Sequence, residues 1–104
     1  QDENGYMEIN KVNGILDGSW VKWYSKGKKE EEGSYQKGIK TGTWSRYNAR
    51  GLLIEELNND KKGRNLYEIT YYTNGTVKEY RDYFSKTVQE YNMDGSKKGK
   101  TTPF

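Results

Sequence analysis

Five carboxylates, Asp17, Glu55, Glu56, Glu79 and Glu90, could supply the acid–base pair of a glycoside-cleaving site. That chemistry needs a cleft which keeps one acid protonated and shuts out water. With only 31 % hydrophobic residues, the chain has little apolar bulk from which to build such a cleft. It also contains no Cys and no His. A disulfide framework, a thiol nucleophile, a zinc site of Cys or His ligands and a His general base are thereby excluded. The expectation is a protein that is not an enzyme and takes no cofactor or metal.

Several short motifs imitate ligand sites. Gly95-Ser96-Lys97-Lys98-Gly99-Lys100-Thr101 has the flavour of a phosphate-binding loop. It is one residue short, with Asp94 where the first glycine belongs, and no room remains for the helix that would present backbone N–H groups. Residues 96–104 read instead as a solvated basic tail. Asn58-x-Asp60-x-Lys62-Gly63 echoes a calcium loop, but Lys62 stands at a ligand position and Ile69 replaces the bidentate Glu. It reads as a polar turn. Asn74-Gly75-Thr76 has the form of an N-glycosylation sequon, and the turn reading is preferred there too.

The residues best suited to contact a partner are aromatic. Ten Tyr, three Trp and two Phe each bring roughly 150–250 Å² of surface. They can replace the missing aliphatics as the ordering force, which sets aside the disorder that low hydropathy and abundant Lys and Glu suggest. The contact candidates are Trp20, Trp23, Tyr24, Trp44, Tyr47, Tyr71, Tyr72, Tyr80, Tyr83 and Tyr91. Most are expected to pack the fold, and those left over to form a wet, flat patch suited to a protein, a sugar chain or a lipid headgroup region. A net charge of +3 with both signs interspersed does not argue for nucleic acid.

These side chains are positioned by a repeat. Gly14-Ile15-Leu16-Asp17-Gly18-Ser19-Trp20 returns as Gly38-Ile39-Lys40-Thr41-Gly42-Thr43-Trp44, an offset of 24 residues. The same step carries Trp23 onto Tyr47, Gly27 onto Gly51 and Glu32 onto Glu56, and a further step reaches Tyr71 and Gly75. Tyr91 to Gly95 repeats the aromatic-x-x-x-Gly element after a shorter step of 20. Gly14, Gly18, Gly38 and Gly42 are therefore read as bends and not as phosphate cradles. Gly27, Gly51, Gly75 and Gly95 are read as turns. Asn74-Gly75 and Asp94-Gly95 fit a type I′ turn, and Asn4-Gly5 is a further candidate. Lys26-Gly27 and Arg50-Gly51 suit a longer turn with one left-handed residue.

Between the turns lie short β-branched and aromatic runs, clearest at Leu66 to Thr73 and Thr76 to Phe84, shorter at Val21 to Tyr24 and Thr43 to Tyr47. Trp20 and Trp23 are three apart, as are Trp44 and Tyr47. A regular strand sends such pairs to opposite faces, and a β-bulge is the alternative. The expected fold class is all-β: one domain over residues 1–104, a single-layer antiparallel meander of stacked β-hairpins with about eight strands.

The segment from Asn13 to Gly51, N-G-x-L-D-G-S-W-x-x-W-Y-x-x-G followed by K-G-x-x-x-G-T-W-x-x-Y-x-x-x-G, resembles the MORN repeat in its bacterial variant form. The resemblance covers roughly residues 13–95. It weakens after the second copy: Gly63 is followed by Arg64, Asn65, Leu66 and Tyr67, without the second Gly and the Trp. It implies an elongated sheet with glycines at bends and aromatics between repeats. It also implies scaffolding, dimerisation or membrane-lipid contact, and the antitoxin-type label of YwqK-like proteins. The leading expectation is an exported bacterial interaction module that meets a protein partner, or a second copy of itself, through an aromatic sheet face. A glycan-binding module and an antitoxin-like partner of a toxin are the alternatives. Binding of Lys26, Lys28, Lys29, Lys37, Lys40, Lys97, Lys98 and Lys100 to an anionic membrane surface is a further one. Gln1 without an initiator Met reads as a processed or truncated terminus. Export to the periplasm, envelope or medium is expected from that reading together with the resemblance, with the cytoplasm as the alternative.

Overall fold

Backbone groups in a chain with so few aliphatics must be satisfied by strand pairing, because no thick interior exists to bury helices against. The computed structural model, which describes residues 5–25 and 27–104, contains eleven strands among them. They are β1 (Tyr6–Glu8), β2 (Lys11–Val12), β3 (Ile15–Leu16), β4 (Gly18–Ser25), β5 (Lys28–Gln36), β6 (Ile39–Tyr47), β7 (Leu53–Asn59), β8 (Asn65–Tyr71), β9 (Val77–Asp82), β10 (Thr87–Tyr91) and β11 (Lys97–Pro103). Nine form one sheet in the order β1-β4-β5-β6-β7-β8-β9-β10-β11, every pair antiparallel, while β2 and β3 make a separate hairpin. The fold is all-β, with strands in near-sequential, meander-like order.

Two expectations change. Eleven strands replace about eight, because β1, β2 and β3 are too short to show an alternating pattern. Residues 96–104 are not a free tail, since Lys97–Pro103 pairs with β10. The physical reason lies in the register. Between Ser34↔Thr41 and Glu32↔Ser45, β5 holds only Gly33 while β6 holds Gly42, Thr43 and Trp44. Between Val88↔Thr102 and Glu90↔Lys98, β10 holds only Gln89 while β11 holds Gly99, Lys100 and Thr101. Gly42 and Gly99 both take φ +73°. The apparent phosphate loop is thus the bulged strand of one more unit, lacking the Trp.

Turn chemistry also differs from expectation. Asn74 and Asp94 do not take positive φ, so neither dipeptide forms a type I′ turn. Instead Gly75 N–H donates to Tyr72 O (3.0 Å) and Tyr72 N–H to Thr76 O (2.8 Å), with Gly95, Asn92 and Ser96 related in the same way. This is a type I turn closed by a left-handed glycine. Asn74 Oδ1 and Asp94 Oδ1 accept from Thr76 N and Ser96 N, which ties them into the ordinary turn conformation. Asn48–Gly51 and Asp60–Gly63 close identically. Positive φ at two successive residues occurs instead at Asn13-Gly14 and Lys37-Gly38. Asn4 and Lys26, on which two further turn expectations fell, lie outside the described residues.

The buried centre is small. Trp44, 3 % exposed, is the one buried hydrophobic among the described residues, joined by Asn59 and Gln89. Trp44 packs on Trp20 (5.2 Å between centroids) and meets Tyr35 edge-on (5.1 Å). A Cβ on Gly33 would lie 2.1 Å from Trp44 Cδ2, so the bulge exists to seat the indole. In the unit without Trp, Gln89 fills the corresponding space. Its Nε2 donates to Gly99 O and its Oε1 accepts from Thr101 Oγ1 (2.5 Å).

Candidate functional site

Directly paired residues share a face of the sheet. One row runs Glu8, Val21, Glu32, Ser45, Glu56, Ile69, Tyr80, Gln89 across eight strands. The row beside it on the opposite face reads Lys22, Glu31, Arg46, Glu55, Thr70, Glu79, Glu90, Lys98. Trp20 and Trp23 fall on opposite faces because β4 itself carries no extra residue between them.

The second face is ionic. Arg46 pairs with Glu55, Arg81 Nη2 lies 3.1 Å from Glu79, and Lys22 Nζ lies 3.4 Å from Glu30. Glu55 and Glu68 stand on this same face, on the paired strands β7 and β8. Glu55 pushes Glu68 above the usual carboxylate range, and Glu68 with Arg46 holds Glu55 below it. Of the five carboxylates singled out for acid–base chemistry, Glu55, Glu79 and Glu90 stand in one row of this face. Glu56 lies on the other, and Asp17 sits half-buried beside the β2–β3 hairpin.

The first face combines acids with rings. Trp23 Nε1 donates to Glu8 Oε1 (2.8 Å), Tyr47 Oη to Glu32 Oε2 (2.6 Å) and Tyr71 Oη to Glu56 Oε1 (3.3 Å). Donor and acceptor are fifteen residues apart each time, and each pair lies 24 residues beyond the last. Glu56 also accepts from Tyr67 (3.0 Å), and Lys29 Nζ reaches Glu32 at 2.8 Å. Lys29 first, then Tyr47, holds Glu32 below the carboxylate range, while burial and these acids push Tyr47, Tyr67 and Tyr71 up.

At the aromatic-x-x-x-Gly turns this face opens into three hollows. The first, about 580 Å³, lies among Trp23, Lys28, Lys29, Tyr47, Arg50 and Gly51. The second, about 190 Å³, is walled by Leu52, Leu53, Tyr71, Tyr72 and Asn74. The third, about 460 Å³, lies among Ile69, Val77, Tyr80, Tyr91, Gly75 and Gly95. They follow the repeat, one per pair of strands, so their centres recur about every 9.6 Å, twice the strand spacing. The wall chemistry grades from cationic to apolar. Lys28 and Arg50 make no ion pair among the described residues.

Comparison with known proteins finds no matching family model and no similar curated protein.

Of the ten aromatic candidates, the hollows collect Trp23, Tyr47, Tyr71, Tyr72, Tyr80 and Tyr91. Trp44 is corrected: its ring is enclosed and leaves no surface for a partner. Trp20 packs on it from the ionic face. Tyr24 Oη and Tyr72 Oη tie neighbouring units by donating to Tyr47 O (3.0 Å) and Tyr91 O (2.7 Å). Tyr83 bonds Glu68 (2.9 Å) and packs on Phe104. Only Tyr80 of the ten is more than about a third exposed, at 38 %. Six of the ten thus border shallow hollows. Sequence reasoning missed Ile69, Val77, Leu53 and Glu8, though the step from Glu56 to Glu32 continues back to Glu8. It also missed an exposed apolar margin at the other end of the strands: Val12, Ile15, Ile39, Leu66 and Phe84, the last 94 % exposed.

Proposed function

We propose that this chain is a non-catalytic binding module, a single-layer repeat of the MORN type, which takes a protein segment against its acid-and-aromatic face. One observation carries the reading: three hollows recur with the repeat and are walled by rings already held in place through Glu32, Glu56 and backbone carbonyls. A side chain entering such a site meets pre-ordered rings, which lowers the entropic cost of association. The least dimension of 14 Å, against 46 and 36 Å, supports the single-layer form. The charged row with Glu55, Glu79 and Glu90 lies on an open face, where solvent screens any acid–base pair. A sugar chain is less favoured, because stacking asks for flat exposed rings and the rings here are half-buried.

Peptide display against the wild-type protein, with a glycan array and vesicles in parallel, tests the reading. Enriched peptides that no longer bind Val77→Glu or Tyr91→Ala support it, provided both variants keep the wild-type circular dichroism. Binding confined to glycans or vesicles overturns it.

The apolar margin favours a second reading, self-association. Sedimentation of the wild type and of Ile39→Lys/Phe84→Lys decides it. A dimer abolished by the double variant supports this reading, and a monomer at high micromolar concentration removes it.

A further inference from the structure

The chemistry of the partner can be narrowed from the spacing of the hollows, an inference that rests on the binding-module reading above. Trp23, Tyr47, Tyr71 and Tyr91 hold matching register positions on the alternate strands β4, β6, β8 and β10, so a segment filling all three hollows must run across the sheet. It cannot extend the sheet as an added strand, because an added strand runs parallel to its neighbours. The two outer strands also offer little for edge pairing. β1 has three residues, and β11 carries Lys97, Lys98, Lys100 and Pro103.

A segment crossing the sheet must match a repeat of about 9.6 Å with a whole number of residues. A polyproline-II helix turns once every three residues and rises about 3.1 Å per residue, or about 9.3 Å per turn. Its residues at i, i+3 and i+6 therefore point the same way, at the interval of the hollows. Over two intervals the mismatch amounts to about 0.6 Å, within what side chains absorb. A β-strand repeats every two residues at about 6.6–6.8 Å and would drift out of step by the second hollow. An α-helix returns the same face after two turns, about 10.8 Å, and falls about 2.4 Å out of step over two intervals. Ring-walled grooves are also the natural seat for polyproline II, whose backbone carries no internal hydrogen bonds and is already stiff before binding.

Wall chemistry then orders the anchors. The hollow with Lys28 and Arg50 suits a carboxylate, and the two lined by Leu52, Leu53, Ile69, Val77 and rings suit apolar side chains. We propose that the groove across the aromatic-x-x-x-Gly turns binds a proline-rich polyproline-II segment, with an acidic anchor against Lys28 and Arg50 and apolar anchors three and six residues away. Lys29 is committed to Glu32 and takes no part in this charge selection.

The test uses fluorescein-labelled nine-residue peptides in fluorescence polarisation against the whole chain. The reference is Glu-Pro-Pro-Leu-Pro-Pro-Leu-Pro-Pro. A second peptide replaces every Pro by Gly, a third moves both Leu to a two-residue spacing, and a fourth begins with Lys. The reference is expected to bind in the micromolar range, and the other three at least about tenfold more weakly. Arg50→Glu, on an exposed turn, is expected to invert the preference between the Glu- and Lys-headed peptides without altering the fold. Equal binding of the Gly-substituted or respaced peptide overturns the polyproline-II assignment. So does peptide display that enriches sequences without a three-residue period, and that outcome leaves the broader protein-binding reading standing. Loss of the broader reading shows separately, as glycan or vesicle binding with no peptide enriched.

Discussion

Tyr47 Oη lies 2.6 Å from Oε2 of Glu32, a contact between strands β6 and β5 that the chain makes again between Tyr71 and Glu56. The pairing ties each ring to the unit before it. It also fixes which wall of the hollow the ring supplies. Glu32 is in turn held by Lys29, so three side chains from one hairpin lock together.

Tyr47→Phe deletes this bond while keeping the ring. A hydrogen bond to a charged acceptor is worth about 1.5–3 kcal/mol, and partial exposure reduces that to about 1. Urea denaturation is expected to show that loss near pH 7. Glu32 lies below its ordinary value when folded, so its stabilisation is present above the unfolded carboxylate range and fades as pH falls through its folded value. Tyr47 lies above its ordinary value, so its share is present below about pH 10 and fades as pH rises beyond. The difference between wild type and variant should narrow at both extremes. A difference constant with pH would show that the contribution does not depend on the charge of Glu32.

Gly33→Ala is expected to be among the most destabilising single changes. The added Cβ would meet Trp44 Cδ2 at 2.1 Å, and the bulge around Gly42 leaves the ring no other seat. We expect a loss of about 3 kcal/mol or more, similar to Trp44→Ala. Tryptophan fluorescence should shift to the red in both. A Gly33→Ala protein with an unchanged melting temperature would show that the indole can move aside.

Lys37 takes φ +51° in the two-residue turn with Gly38. Asn tolerates that conformation better than Lys. Lys37→Asn should raise stability by about 0.5 kcal/mol, whereas Asn74→Lys should lower it by about 1, because Asn74 Oδ1 would no longer hold Thr76 N. Thermal melts distinguish the two. Identical behaviour would mean that the turn types are wrongly assigned.

Glu68→Gln tests the carboxyl pair on the ionic face. Glu68 lies above its ordinary value because Glu55 faces it, so the fold favours its protonated form and wild type loses stability as pH rises through that value. Gln imitates the protonated acid and can still accept from Tyr83. The variant should melt about 2–4 °C higher than wild type at pH 7, and together with it near pH 4. A lower melting temperature at pH 7 would contradict an unfavourable Glu55–Glu68 contact.

Much of this was legible in one dimension. The 24-residue step and the glycine after each aromatic-x-x-x element follow from side-chain period and backbone sterics, which act locally. The opposite faces of Trp20 and Trp23, in contrast, are decided only by the register, since a β-bulge would have brought them together. The turn types were less so, because Asn-Gly suits either a two-residue loop or the end of a three-residue one. Only the register of the flanking strands chooses. Gly99-Lys100-Thr101 shows the same limit: nothing in the tripeptide marks it as a bulged strand until Gln89 stands opposite.

Sequence alone determined that rings and not aliphatics would hold this chain together, in a succession of short hairpins, since composition and spacing are properties of the string. The tertiary structure decided which rings remain accessible and what shape they make. Trp44 disappears because a glycine on another strand vacates the space for it. Trp23, Tyr47, Tyr71 and Tyr91 line hollows because adjacent turns stand two strands apart. Accessibility depends on neighbours brought close by pairing, and pairing is decided by the whole sheet at once.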